Sequence, residues 1–200
     1  MKKALIIAAG TVESVDCSGA DCIIAADGGY DAAERLGIKC DLFVGDMDSV
    51  KTKVDAEKII LNAEKDFTDT ECAIEEAVSR GYKRIDIYGA TGTRLDHTLA
   101  NIFMMKKYLE RGIDIRVIDE HNKMRAIKGE NVFHGIAGKT VSFIPADTCV
   151  SGVTLSGFKY PLKDRDIEIG TTLTVSNIAL SDPVTVRIKK GTLIMILAKD

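Results

Sequence analysis

The sequence predicts an α/β fold, a mostly parallel sheet flanked by helices, followed by an all-β sandwich, and three observations carry that expectation. Over roughly the first 120 residues, short and nearly continuous apolar runs alternate with helical patterns, as strands buried on both faces by flanking helices do. Past about residue 121 the helical patterns stop, and short runs rich in Val, Ile and Thr follow one another between turn signals, which is the spacing of an antiparallel sandwich or barrel. Acidic clusters also recur where the predicted strands of the first part run into loops or helices. In an open α/β sheet those strand ends converge on one ligand crevice. The texture changes around residues 120–122 without a Gly/Pro linker, so two units, 1–121 and 122–200, are expected to pack against each other.

Residues 4–9, 22–26, 42–44, 59–61, 85–88 and 113–118 read as the strands of the first unit. Between them, 30–36 is a short helix ended by Gly37. Residues 70–80 carry an apolar stripe of Ala73, Ile74, Ala77 and Val78. Thr68-x-x-Glu71 fits a capping box at the start of that helix and Gly81 fits its stop. The longest helical pattern is 97–110, with Leu99, Ile102, Phe103 and Leu109 available to pack and Gly112 after it. In the second unit, strands are expected at 123–128, 139–144, 150–155, 171–175, 184–188 and 192–197. The run Val184-Thr185-Val186-Arg187-Ile188 alternates as a strand with one wet face should.

Composition removes several function classes. The 200 residues are 46% apolar and 28% charged, with a net charge of −3 and no basic run, so no nucleic-acid footprint is visible. The basic-then-apolar start, Met1 to Gly10, is too short for a membrane span and lacks a convincing cleavage site, so it reads as a buried first strand. Five cysteines form no C-x-x-C pair, which argues against zinc, redox chemistry and a disulfide framework and for a reducing cytoplasm. The three histidines, His97, His121 and His134, have no metal-ligand spacing, and neither a Walker A loop nor a G-x-S-x-G elbow occurs.

The chemistry therefore rests on the carboxylates. Asp46 and Asp48 follow the predicted strand 42–44, and residues two apart in extended backbone point to one side. Two carboxylates held at about 4 Å repel by roughly 4 kcal/mol at an effective dielectric near 20, a cost that Mg²⁺ bridging carboxylates to phosphates removes. The plain alternative, turn-forming aspartates, explains either residue alone. Asp66 and Asp69 stand at the start of the 70–80 helix, where the macrodipole stabilises a carboxylate; Asp69 is the better metal ligand, Asp66 a cap. Lys65 is placed to contact a phosphate, although a lone lysine is usually solvated. Asp27-Gly28-Gly29 opens the first helix and lets phosphate or ribose approach backbone N–H groups. Gly89-x-x-Gly92-x-Arg94-x-Asp96-His97 is more specific. Arg94 suits bidentate phosphate binding, Asp96 either binds metal or orients Arg94, and His97 either joins the site or simply begins the helix.

Taken in order, the motifs Ala26-Asp27-Gly28-Gly29, Gly45-Asp46-Met47-Asp48-Ser49, Lys65-Asp66-Phe67-Thr68-Asp69 and Gly89 to His97 resemble those of the thiamin pyrophosphokinase family. Leu155 to Leu162 and Val175-Ser176-Asn177 resemble its C-terminal half. The resemblance implies an α/β domain, a β-sandwich, a homodimer with thiamine sites between subunits, and Mg²⁺-dependent transfer of pyrophosphate from ATP to thiamine. Carried over by residue, Asp46, Asp48, Asp69 and Asp96 hold metal, and Arg94 engages the phosphates. Asp27, Gly28, Gly29, Lys65, Asp66, Thr68, Gly92 and His97 line the nucleotide side. Ser176 and Asn177 seat the thiamine pyrimidine with Tyr160 near it; Tyr160 stands where some relatives have Trp, and the chain has no Trp. Two other readings use the same carboxylates: pyrophosphoryl transfer to another alcohol such as a hydroxymethyl pterin, and a non-catalytic nucleotide or thiamine sensor.

Overall fold

A computed structural model describes residues 2–62, 64, 66–92 and 94–199. Six parallel strands, β1 (Lys3–Ile7), β2 (Cys22–Ala26), β3 (Leu42–Gly45), β4 (Glu57–Ile60), β5 (Arg84–Tyr88) and β6 (Asp114–Ile118), form one half of a ten-stranded sheet. Their spatial order is β6-β5-β1-β2-β3-β4. The chain therefore runs outward from β1 to β4, then crosses back to add β5 on the other side of β1. That reversal makes the β1/β5 junction the switch point of the sheet, where open α/β folds bind ligands.

Three helices cover this half: α1 (Gly29–Arg35), α2 (Asp69–Ser79) and α3 (Leu95–Glu110). Helix α2 buries Ala73, Ile74 and Ala77 as its stripe predicts, and the Thr68 hydroxyl accepts from Glu71 N at 3.2 Å. The reciprocal arm of the expected capping box is replaced, because the Glu71 carboxylate pairs with Lys107 at 2.6 Å. On α3 the expected packing differs. Leu99 and Phe103 are 45% and 48% exposed, whereas Asn101, Met105 and Tyr108 are buried. Ile102 and Leu109 do pack against the core as expected, so the buried face is turned toward Asn101, Met105 and Tyr108 rather than toward Leu99 and Phe103.

The second half is all β. Strand β7 (Asn122–Ile127) pairs antiparallel with β6, and β9 (Thr140–Pro145), β12 (Asn177–Ile178) and β14 (Leu193–Ala198) extend the same sheet. Beside it lies a second, antiparallel sheet of β8 (Glu130–Phe133), β10 (Cys149–Ser156), β11 (Leu162–Glu168) and β13 (Val184–Arg187), ordered β11-β10-β13-β8. Phe143, Phe158, Val153 and Val186 sit in the core between them. Residues 171–175, expected as a strand, form turns instead. Buried Thr174 holds them there through hydrogen bonds with the Phe143 backbone. Strands β8 and β11 were not expected: β11 exposes Lys163, Asp164, Arg165 and Asp166, so only Leu162 and Ile167 carry its apolar signal. Cys40 is buried and its thiol is pushed up to about 12, and among the described residues the cysteines form no disulfide. Among them too, no helix is long and apolar enough to cross a membrane.

Candidate active site at the strand ends

A crevice of about 310 Å³ opens at the switch point. Its floor is backbone: Gly10 N donates to Gly89 O at 2.9 Å and Thr11 N to Thr91 O at 3.0 Å. A Cβ on Gly10 would collide with both of those carbonyl oxygens, so the close approach of the two strand ends requires glycine. Asn101, buried on α3, donates from Nδ2 to Ala90 O at 2.8 Å and fixes the loop that carries Gly89 and Gly92. Asn101 and Gly10 were not among the predicted site residues. The signal available for Asn101 was a polar residue on the buried phase of a helix.

One wall is acidic. Asp27 has φ +46 and donates from its N to Val44 O at 2.9 Å, which turns its side chain across the end of β3. Asp27 Oδ2 accepts from the Ser49 hydroxyl, while the buried Oδ1 has no hydrogen-bond partner among the described residues. Met47, at φ +72, reverses the chain so that Asp48 N reaches Asp46 Oδ1 at 3.2 Å. Carboxylate oxygens of Asp27, Asp46 and Asp48 consequently lie within 4.8 Å of one another. The Asp48 carboxyl is held above its ordinary range, first by hydrogen bonding and repulsion with Asp46, then by burial and the charges of Asp27 and Asp69. Asp69, first residue of α2, lines the crevice with Thr68.

Arg94 and His97 line the opposite side at the start of α3. The Arg94 guanidinium is paired with Asp96 at 2.6 Å. That fork, with the His97 backbone N–H, holds the Asp96 carboxyl far below the usual carboxylate range. Asp96 thus orients Arg94 and lies outside the acidic trio. Gly28 caps α1, and Gly29 packs so tightly that a Cβ would strike Ile7 O. Asp66 is exposed and away from the crevice lining, and Lys65 lies outside the described residues.

The C-terminal trio forms a separate cluster. Asn177 is buried; its Oδ1 accepts from Tyr160 N at 3.0 Å and its Nδ2 donates to Tyr160 O at 2.8 Å. Asn177 therefore clamps the Tyr160 backbone and presents the ring, which is 55% exposed. Ser176, at φ +57, donates from its N to Ser142 Oγ at 2.9 Å. None of the three lines the acidic crevice.

A parallel sheet with a crevice at its switch point and an acidic trio beside it, continued into a β-sandwich, defines a two-part class, an α/β unit joined to an all-β one. The sequence profile of the thiamin pyrophosphokinase catalytic domain matches residues 17–117, and that of the thiamin pyrophosphokinase vitamin B1 binding domain matches 124–193. The chain belongs to the thiamin pyrophosphokinase family. It is 37% identical over 166 residues to thiamine pyrophosphokinase of Bacillus subtilis, covering 78% of this chain and 77% of that protein. The crystal structure of the B. subtilis thiamine pyrophosphokinase superposes with a TM-score of 0.89 at 31% identity, over 100% of both chains. That of thiamin pyrophosphokinase from Geobacillus thermodenitrificans gives 0.87 at 31%, over 99% of this chain and 98% of that one.

Proposed function

We propose that this chain is a thiamine diphosphokinase: it transfers the pyrophosphoryl group of ATP to the hydroxyl of thiamine and releases AMP. The observation that carries the reading is the trio Asp27, Asp46 and Asp48 at the carboxyl ends of β2 and β3, beside the crevice, in a chain whose two parts match the two domains of one family. In the reaction the thiamine oxygen forms a bond to the β-phosphorus of ATP. The bridging bond to the α-phosphate breaks, AMP leaves, and the hydroxyl proton passes to solvent or a crevice carboxylate.

A Mg²⁺ site fits these residues. The donors are hard carboxylate oxygens, and Asp27 Oδ1 is buried with no hydrogen-bond partner among the described residues, the donor type this cation takes. Asp46 and Asp48, with Asp27, would hold it, and Asp69 completes the proposed ligand set, while Asp96, expected as a further ligand, is committed to Arg94. When bound, the metal supplies charge neutralisation for the triphosphate. Arg94 binds phosphate oxygens as a preorganised fork, because Asp96 already fixes its plane. Gly28, Gly29 and Gly92 keep Cβ atoms away from the phosphate path, Thr68 and His97 bound it, and Lys65 and Asp66 belong to the same segment. Positioning and charge stabilisation are what such transfers chiefly require.

Tyr160, Ser176 and Asn177 form the proposed thiamine subsite, with the exposed Tyr160 ring as a stacking face. Because they do not line the crevice of their own chain, we take the enzyme to be a homodimer in which one copy's trio serves the other's crevice. The division into a catalytic part, 1–121, and a thiamine-binding part, 122–200, is supported by the helices of the first and the antiparallel strands of the second. A cytoplasmic location agrees with cysteines that form no disulfide among the described residues. The pterin and sensor alternatives use the crevice but leave the Tyr160 cluster unused.

The test is AMP release from ATP and Mg²⁺ with and without thiamine, with mass detection of thiamine diphosphate. AMP formed in step with that product is the expected result. ADP in place of AMP, or ligand binding without turnover, would overturn the assignment.

A further inference from the structure

On the face of the large sheet that packs against α1, beyond the core that Tyr30 and Ala33 form with Leu5, Ile7 and Tyr88, stands a concentration of guanidinium groups. Along one face of β5, β6 and β7 stand Arg84 and Asp86, Asp114 and Arg116, and Arg125. The cross-strand register sets Asp86 beside Arg116 and Arg116 directly opposite Arg125. Two like charges facing each other across an antiparallel pair destabilise it. Arg84, Asp86, Arg116 and Arg125 floor a groove of about 470 Å³, with Asp114 beside it. Its walls are the β1–β2 loop at Asp16 and Ser18 and the segment after β8 at Phe133 and His134. The groove is separate from the acidic crevice: the two share no lining residue.

The ion pairs within the groove do not balance. Asp114 is shared, accepting from Arg116 at 3.0 Å and ion-paired with Arg125 at 3.1 Å. Asp86 is likewise shared, between Arg84 at 3.2 Å and Lys3 at 3.6 Å. With Lys123 at the rim and Asp16 on the wall, five cations meet three carboxylates, on a chain whose net charge is −3. Arg125 Nε is buried and has no acceptor among the described residues. Burial, and the neighbouring charges of Arg116 and Arg84, weaken the hold of Arg125 on its proton, offset in part by Asp114. An ordinary cross-strand ion-pair lattice would satisfy each guanidinium. This one leaves an N–H donor and two positive charges over.

We propose that this groove is a second anion site, which binds the phosphate group of a small phosphorylated molecule through Arg116 and Arg125. A phosphate has the geometry for it: guanidinium forks bind its oxygens in pairs, and an anion between Arg116 and Arg125 removes the repulsion of their facing charges while giving Arg125 Nε an acceptor. The groove is larger than a free phosphate needs, so an organic phosphomonoester fits the space better than the inorganic ion.

The experiment is a titration of the full chain with inorganic phosphate and, separately, glycerol 3-phosphate, at ionic strength matched with chloride. It is read by calorimetry and by the Nε–H resonance of Arg125 in arginine-labelled protein. The expected result is binding that persists in Arg94→Met, where the crevice has lost its fork, and falls at least tenfold in Arg116→Met and Arg125→Lys. Tighter binding of the ester than of inorganic phosphate identifies an organic ligand; equal binding identifies the free ion. The labelled wild-type chain decides the matter even if the variants do not fold, since binding that leaves the Arg125 resonance unmoved overturns the proposal. So does an absence of binding, including one caused by a second copy covering the groove, and so does binding lost in Arg94→Met alone, which places the anion in the crevice.

Discussion

Replacing Asn101 by alanine tests how the crevice floor is held. The Asn101 side chain is buried at 7% exposure and its Nδ2 donates to Ala90 O at 2.8 Å. Alanine removes the donor and leaves a buried carbonyl unpaired, at a cost of about 1–3 kcal/mol. In a chain of this size each kcal/mol lowers Tm by roughly 2–4 °C, so a fall of about 2–12 °C is expected. Ala90 lies between Gly89 and Thr91, whose carbonyls hold Gly10 and Thr11, so the KM for ATP should rise with the loss of stability. Asn101→Asp sharpens the test. A carboxylate buried against a carbonyl has its folded pKa raised above the unfolded value of about 3.9. Only the protonated acid can donate to Ala90 O. The stability it restores is therefore fully present below about pH 4 and lost as pH rises through the folded pKa. Denaturant melts across pH, paired with ATP kinetics, provide the assay. An alanine variant within about 0.5 kcal/mol of wild type, below the range for an orphaned acceptor, would refute the reasoning, as would an aspartate variant with wild-type pH dependence.

Three further outcomes are expected. Asp46→Asn should abolish turnover while leaving the fold intact. Because the Asp48 carboxyl is raised chiefly by Asp46, repulsion in the trio destabilises the chain above the unfolded carboxyl range and not below it. The variant should thus melt higher than wild type near pH 7, lose that advantage at acid pH, and show a smaller Mg²⁺-dependent rise in Tm. Gly29→Ala drives a Cβ onto the Ile7 carbonyl and should cost about 1–3 kcal/mol in denaturant melts. Tyr160→Ala should raise the KM for thiamine and leave that for ATP near wild type, whereas Tyr160→Phe should retain most thiamine affinity, both read by steady-state kinetics.

Much of the α/β half was legible because its strands are buried on both faces, so Leu5, Ile6, Ile24 and Phe43 signal strand without help from pairing partners. The edges of the sandwich were not. Strand β11 is charged along most of its length, and its two inward residues give no period to read. Residues 171–175 carry the β-propensity of a strand, yet Thr174 turns inward to the Phe143 backbone and commits them to a turn. Within the site, the four acidic motifs were visible as sequence. What spacing could not supply was that Asp27, some twenty residues before Asp46, closes on it because β2 and β3 are adjacent. Asn101 stayed hidden for the opposite reason: its importance lies in one hydrogen bond to a loop, and its one mark in the sequence is a polar residue on the buried phase of a helix.

The β6–β7 pairing joins the two halves by a continuous backbone ladder rather than a tether. Two lobes linked by a flexible strap can clamp a substrate by swinging together; two lobes that share one sheet cannot, because any swing would shear the hydrogen bonds of Arg116, Val117 and Ile118 with Lys123, Met124 and Arg125. Movement during turnover must fall to segments outside that ladder, among them the turn through Met47. Amide exchange should then show slow, matched protection across β6 and β7 and fast exchange in that turn.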